Sequence, residues 1–331
     1  MDTLRELIPQ IKSIKTNIDG SSECFDNLTL FKLYNIAYSK IEEICYKYSI
    51  INFTLPKING YNSLVIYADS LIYKYALKIS VTYKSNIHMI NTIYKHVSDN
   101  NISPKIYYDY NIDYNSENYI IKIFLSERLI LFSNFKWLSI YQLKNSIISL
   151  IDKTLKLHSL GYVHNDIKYE NLGLDLNGNI YIFDYDNFTE ITKTSCSKKY
   201  SSNVCHPPDK LIEKSIANGL GNQIIDLFSI CIIIMGDIIG IELWHFDNSQ
   251  LLEKEYQITN FKRNKIYNLI QKEITKNFND DGLSNFWFSL VNFLHLVFQK
   301  NNRIKNKHAF NRRAKKLIQR MNSNLLLDYW L

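Results

Sequence analysis

Residues 164–186, HNDIKYENLGLDLNGNIYIFDYD, carry the reading from which the rest of the chain follows. Asp166 is followed five residues on by Asn171, and thirteen further on by Asp184. An Asp on a short loop can orient and deprotonate a hydroxyl. An Asn and a second Asp offer oxygen ligands that hold Mg²⁺ while leaving the ion open to phosphates. Between them, Asn177-Gly178-Asn179 is a hairpin signal and Ile180-Tyr181-Ile182-Phe183 a short apolar strand, so Asp184 falls at a strand end. The two strands flanking the turn would bring the loop and Asp184 to one edge of the structure. The chemistry expected there is phosphoryl transfer.

The pattern H-x-D-x-K-x-x-N followed by D-Y-D resembles the catalytic loop and metal-binding motif of eukaryotic-type protein kinases. Its D-Y-x element is similar to that of casein-kinase-related and viral kinases. The resemblance implies an α+β, two-lobed protein-kinase-like fold, with a small β-rich N-lobe, a large mainly helical C-lobe and a helical N-terminal extension. The expected divisions are 1–50 for the extension, 51–127 for the N-lobe and 128–331 for the C-lobe. In the extension, Leu30, Leu33, Ile36, Ile41 and Ile44 form an apolar stripe suited to packing on the small lobe. From Ile51 the pattern shifts to short strands, INFTL, SLVIYA and YALKIS, that read as a meander.

Lys78, in Ala76-Leu77-Lys78-Ile79, is similar to the kinase A-x-K strand lysine, which anchors nucleotide phosphates; an ordinary solvent-facing strand Lys is the alternative. Aligning Val65 with the valine of G-x-G-x-x-G-x-V puts Ile58, Gly60 and Ser63 at the three glycine positions. Only Gly60 keeps the glycine that permits close backbone approach. Residues 86–97 read as the helix whose Glu would pair with the strand Lys in active kinases, yet no acid occurs there. Tyr119 to Leu125 reads as a further strand, with Ser126 to Leu129 as the segment between lobes. Leu143, Ile147, Ile151 and Leu155 mark a core helix that Gly161 ends.

Lys168 resembles the lysine of Ser/Thr-specific kinases that neutralises charge on the transferred phosphate. Asn165 replaces the Arg that would read a phosphorylated activation loop, so activity should not require phosphate between Thr189 and Ser202. Asp186 stands in place of the Gly of D-F-G. His164 reads as structural support for the loop. Further on, Cys205-His206-Pro207-Pro208-Asp209 looks like A-P-E, and Asp226 to Cys231 like the start of the central large-lobe helix. Arg303 stands where a kinase pairs an Arg with the A-P-E acid, here Asp209.

The resemblance thus implies Asp166 and Lys168 as catalytic residues. It implies Gly60, Ser63, Val65, Lys78, Asn171 and Asp184 around ATP, and Asn171 and Asp184 on Mg²⁺, with Mn²⁺ as the alternative ion. Three readings stay open: a Ser/Thr protein kinase acting on a protein substrate; a pseudokinase scaffold, for the missing Glu and eroded glycines; and a choline- or aminoglycoside-type small-molecule kinase, for D-Y-D.

Length and composition bound these readings. The 331 residues are 46% hydrophobic, with 24 Tyr, 10 Gly and 5 Pro, enough for a substantial core and unlike a disordered chain. The Tyr, Asn, Ile and Lys skew is that of chains from AT-rich genomes. Five Cys without C-x-x-C spacing argue for reduced thiols, and Cys196, Cys205 and His206 fit no usual zinc pattern. The start lacks an apolar central block, and the apolar run 224–239 contains Asp226 and Asp237, so neither a signal peptide nor a membrane span is expected. The expected location is intracellular and cytoplasmic, in a host's cytoplasm if the gene is viral. The net charge is +7, and basic residues from Lys305 to Arg320 read as a solvated helix face; nucleic acid is not an expected partner.

Overall fold

The computed structural model describes residues 27–54, 63–113, 118–132, 139–175, 177–191, 207, 213, 221–240, 267–273, 284–298 and 307–327. Residues 1–26, Ile58, Gly60, Cys196, Cys205, His206, Asp209, Arg303 and Lys305 lie outside them, as does the side chain of Asp186. The chain is α+β, rich in sheet in its N-terminal part and helical later. It divides into two compact units, Met1–Leu129 and Ile130–Leu331.

The first unit is a five-stranded antiparallel sheet between two helices. Its elements are α1 (Asn27–Tyr48), β1 (Asn52–Thr54), β2 (Ser63–Asp69), β3 (Lys74–Tyr83), α2 (Ile87–Asp99), β4 (Ile106–Asp113) and β5 (Tyr119–Glu127), with strand order β1-β2-β3-β5-β4. Side chains alternate across a strand, and the register places Leu64, Ile66 and Ala68 beside Ile79, Leu77 and Tyr75. Ile123 and Leu125 continue the same face on β5. Against it α1 packs Tyr34, Ala37, Ile41 and Ile44, all fully buried. Each buried Ile contributes about 1.5–3 kcal/mol of transfer free energy.

Ile41 and Ile44 of the expected stripe are in that core, and the side chains of Leu30 and Leu33 lie outside the described residues. Tyr34 and Ala37 line the core, and Ile36 packs at its margin. A tyrosine can bury its ring while keeping its hydroxyl near polar atoms, so a stripe drawn through branched aliphatics alone misses it. Strand β4 also escaped the sequence pattern, because YYDYN alternates poorly between apolar and polar.

The opposite face of the sheet carries Val65, Lys78, Lys122 and Phe124, and α2 covers part of it. Lys78 lies directly across from Val65 on one side and Phe124 on the other. Tyr94 of α2 packs on Phe124 with ring centroids 5.1 Å apart.

The second unit is mainly helical, with small strands at its candidate site. These strands are β6 (Ile130–Leu131), β7 (Tyr162–Val163), β8 (Leu172–Leu174), β9 (Ile180–Ile182) and β10 (Thr189–Glu190). Helix α3 (Ile140–Ser159) is capped by Ser139, whose hydroxyl accepts from the Gln142 N–H at 3.2 Å. It ends before Gly161, whose φ of 92° is the left-handed conformation that glycine adopts without a Cβ penalty. Helix α4 (Gln223–Ile233) is buried along its whole length and runs into a π-helical segment, Ile234–Ile238. Among the described residues no helix is long and apolar enough to cross a membrane. After α5 (Ser284–Phe298), α6 (Lys307–Leu327) buries Phe310, Ala314, Leu317, Ile318 and Met321 while Arg312, Arg313, Lys315, Lys316 and Arg320 face solvent.

Candidate active site

The loop between β7 and β8 is held from below by one buried carboxylate. Asp226 of α4, fully buried, accepts the backbone N–H of His164 at 2.8 Å and of Asn165 at 2.9 Å. His158 of α3 places its Nε2 3.0 Å from the same carboxylate. A buried carboxylate is tolerated where several polar groups converge on it, and these lie 61, 62 and 68 residues from Asp226 in sequence.

His164 joins the loop to the segment after β9. Its Nε2 lies 3.0 Å from the Phe183 carbonyl, and its Nδ1 accepts the Asp166 N–H at 3.3 Å. A ring protonated on Nε2 satisfies both contacts. The ring also packs against Tyr185, with centroids 4.8 Å apart. Asn165, in left-handed backbone at φ 66°, donates from Nδ2 to the Asn187 carbonyl at 3.0 Å and the Thr189 hydroxyl at 2.9 Å. The amide thus binds the loop to the following segment through neutral hydrogen bonds.

The chemistry-bearing side chains cluster on this frame. Lys168 Nζ is 2.8 Å from an Asp166 carboxylate oxygen. Asn171 Nδ2 donates to the Asp166 carbonyl at 2.9 Å and its carboxylate at 3.3 Å. Asp166 and Asn171 are 6% and 5% exposed, so their orientations are set by contacts within the protein. Burial disfavours the Lys168 charge, but the hydrogen bond and charge of Asp166 outweigh it. With Glu170 and Asp184 adding to the attraction, the ammonium is held above the ordinary lysine range.

Asp184 follows from the hairpin. Leu172 pairs with Ile182 across β8 and β9, and the Phe183 N–H donates to the Asn171 carbonyl at 3.1 Å. Asp184 is the next residue, in left-handed backbone at φ 67° and ψ 61°. Only glycine and, at lower frequency, Asn or Asp adopt that conformation readily, and it turns the chain sharply at the strand end.

The residues fit a magnesium ion. With its amide nitrogen committed to Asp166, Asn171 keeps Oδ1 as an acceptor, and Asp184 carries a carboxylate; both are hard oxygen donors of the kind magnesium takes. Among the described residues no cluster of three or more His, Cys, Asp or Glu gathers to hold a metal. Magnesium is commonly held by one or two carboxylates together with substrate phosphates and water.

Of the expected site residues, Asp166, Lys168, Asn171 and Asp184 belong to this cluster in the second unit. Ser63, Val65 and Lys78 belong to the first, on one face of its sheet, where the Lys78 ammonium lies 5.9 Å from the Phe124 ring centroid. Gly60 is outside the described residues. Two contributors were not legible in sequence, the His158 contact to Asp226 and the hydrogen-bonding role of Asn165. Each depends on a partner brought close only by folding.

No protein-family model matches the chain. Among curated proteins it is 27% identical over 157 residues to serine/threonine-protein kinase Sgk1 of Rattus norvegicus, and 27% over 158 residues to Sgk1 of Homo sapiens. Each match covers 44% of this chain and 36% of the relative, so the chain spans about a third of the length of the curated relatives it matches. The chain is distantly similar to serine/threonine kinases, and that similarity supports a kinase-like function.

Proposed function

We propose that the chain is a protein kinase that transfers the γ-phosphate of Mg·ATP to a serine or threonine hydroxyl of a protein. The observation that carries this is the Asp166 carboxylate, buried on a braced loop with Lys168 at 2.8 Å and Asn171 hydrogen-bonded to it. Asp166 orients the substrate hydroxyl and accepts its proton as the oxygen bonds to the γ-phosphorus and the bond to ADP breaks. Lys168 neutralises negative charge that spreads over the transferred phosphoryl oxygens. Lys78 anchors phosphates on the first unit's sheet. Asn171 and Asp184 would hold magnesium, which when bound would supply positive charge to offset that of the phosphates.

A second reading, a scaffold that does not catalyse transfer, is favoured by one observation. Helix α2 carries no carboxylate from Ile87 to Ser98, and Asp99, its last residue, is exposed.

Transfer of labelled γ-phosphate from Mg·ATP to the protein itself and to generic acidic and basic protein substrates tests the proposal. Label on Ser or Thr, lost in Asp166→Asn, is the expected result. Absence of transfer by folded protein favours the scaffold, and transfer to small hydroxyl compounds in place of proteins favours a metabolite kinase.

A further inference from the structure

Resting on the kinase reading, we propose that Lys122 is a positioning residue that clamps α2 to the sheet, in place of a contact between the strand lysine and a helix carboxylate. Lys122 lies on β5 and is 2% exposed. A buried ammonium requires anionic or strongly polar partners, and two converge on it. Its Nζ is 2.5 Å from Asn91 Oδ1, on the second turn of α2, and 2.5 Å from Asp109 Oδ1, on β4. The ammonium also lies 5.6 Å from the ring centroid of Tyr94, one helical turn beyond Asn91.

The clamp has the polarity of a lysine–glutamate pair, but its helix acceptor carries no charge. The cation sits on the sheet, the helix contributes a neutral amide oxygen, and the carboxylate comes from the neighbouring strand. Tyr94 extends the same contact toward Lys78 through Phe124, with 5.1 Å between the two rings and 5.9 Å from that ring to the Lys78 ammonium. Lys122 and Lys78 share one face of the sheet, separated by one cross-strand position, since Lys122 pairs with Ser80 and Phe124 with Lys78. The Lys122 contacts therefore tie the helix to two strands of the sheet.

Hydrogen exchange of the α2 amides in nucleotide-free protein tests the clamp independently of catalysis. Asn91 is only half buried, so Asn91→Ala should fold while losing the helix acceptor. Asn91→Ala and Lys122→Met should each speed α2 exchange by about tenfold or more, the change expected for losing a hydrogen bond to a charged group. Lys122→Arg should restore protection, and Lys78→Met should leave it at the wild-type level. Unchanged α2 exchange in Asn91→Ala, or equal loosening in Lys78→Met, overturns the proposal. If no phosphate transfer is found but these exchange results hold, the clamp stands and the kinase reading fails.

Discussion

Asp226 is a single side chain on which the candidate catalytic loop depends. It accepts two successive backbone N–H groups at 2.8 and 2.9 Å from a fully buried position, with His158 Nε2 at 3.0 Å. Asparagine has nearly the same shape but replaces one acceptor oxygen with a donor, setting an N–H against an N–H. Asp226→Asn should cost about 1–3 kcal/mol, the cost of leaving a buried group unsatisfied. The shift of a urea midpoint measures it. Lys168 illustrates a different role, since its ammonium is half exposed and pairs with Asp166. Lys168→Ala should lower kcat for phosphate transfer by about 10²-fold, the usual effect of removing one stabiliser of developing negative charge, with a smaller change in KM for ATP.

At the scale of elements, the hairpin that presents Asp184 depends on its turn. Asp175 Oδ1 accepts from the N–H groups of Asn177 and Asn179, both at 2.9 Å, and Asn179 Nδ2 closes on Asp175 Oδ2 at 2.8 Å. Gly178 has φ 84°, and a Cβ there would meet the Gln142 carbonyl at 3.3 Å. Ser146 of α3 donates to the Gly178 carbonyl at 2.6 Å, so the turn is also docked on a helix that cannot easily give way. Gly178→Ala should cost about 1–3 kcal/mol from the left-handed backbone alone. Thermal unfolding against the wild type checks this.

Helix α1 matters to the first unit in another way. It covers the sheet face formed by Leu64, Ile66, Leu77, Ile79, Ile123 and Leu125, all with no exposed area. A chain beginning after Tyr48 would present that apolar face to water, where such patches drive association. Deletion of residues 1–48 should produce a protein that binds a hydrophobic dye strongly and self-associates on gel filtration.

For the whole molecule, the kinase reading predicts linkage between magnesium, nucleotide and stability. Ligand at 100 times its Kd stabilises the folded state by about 2.7 kcal/mol. Mg·ATP should therefore raise the unfolding temperature, ATP with EDTA should do so less, and Asp184→Asn should remove the difference between them. Differential scanning fluorimetry reads all three. In α6 the described basic side chains, Arg312, Arg313, Lys315, Lys316 and Arg320, face solvent, while Phe310, Ala314, Leu317, Ile318 and Met321 are buried.

Local chemistry was enough to read the strand meander, the core helix through Leu143, Ile147, Ile151 and Leu155 that Gly161 ends, the Asn177-Gly178 turn and the grouping of Asp166, Lys168 and Asn171. Each follows from alternation, capping, glycine conformation or spacing within a few residues, and those preferences act before the chain has folded. The tertiary structure decided that Tyr34 and Ala37 line the α1 core, that Asp226 and His158 support the loop from other helices, and that Lys122 joins α2 to two strands. A buried charge takes its partners from whatever elements packing brings within hydrogen-bond reach. Lys122 and Asn91 are separated by 31 residues, and Asn165 and Asp226 by 61, so neither pairing has a local pattern in the sequence.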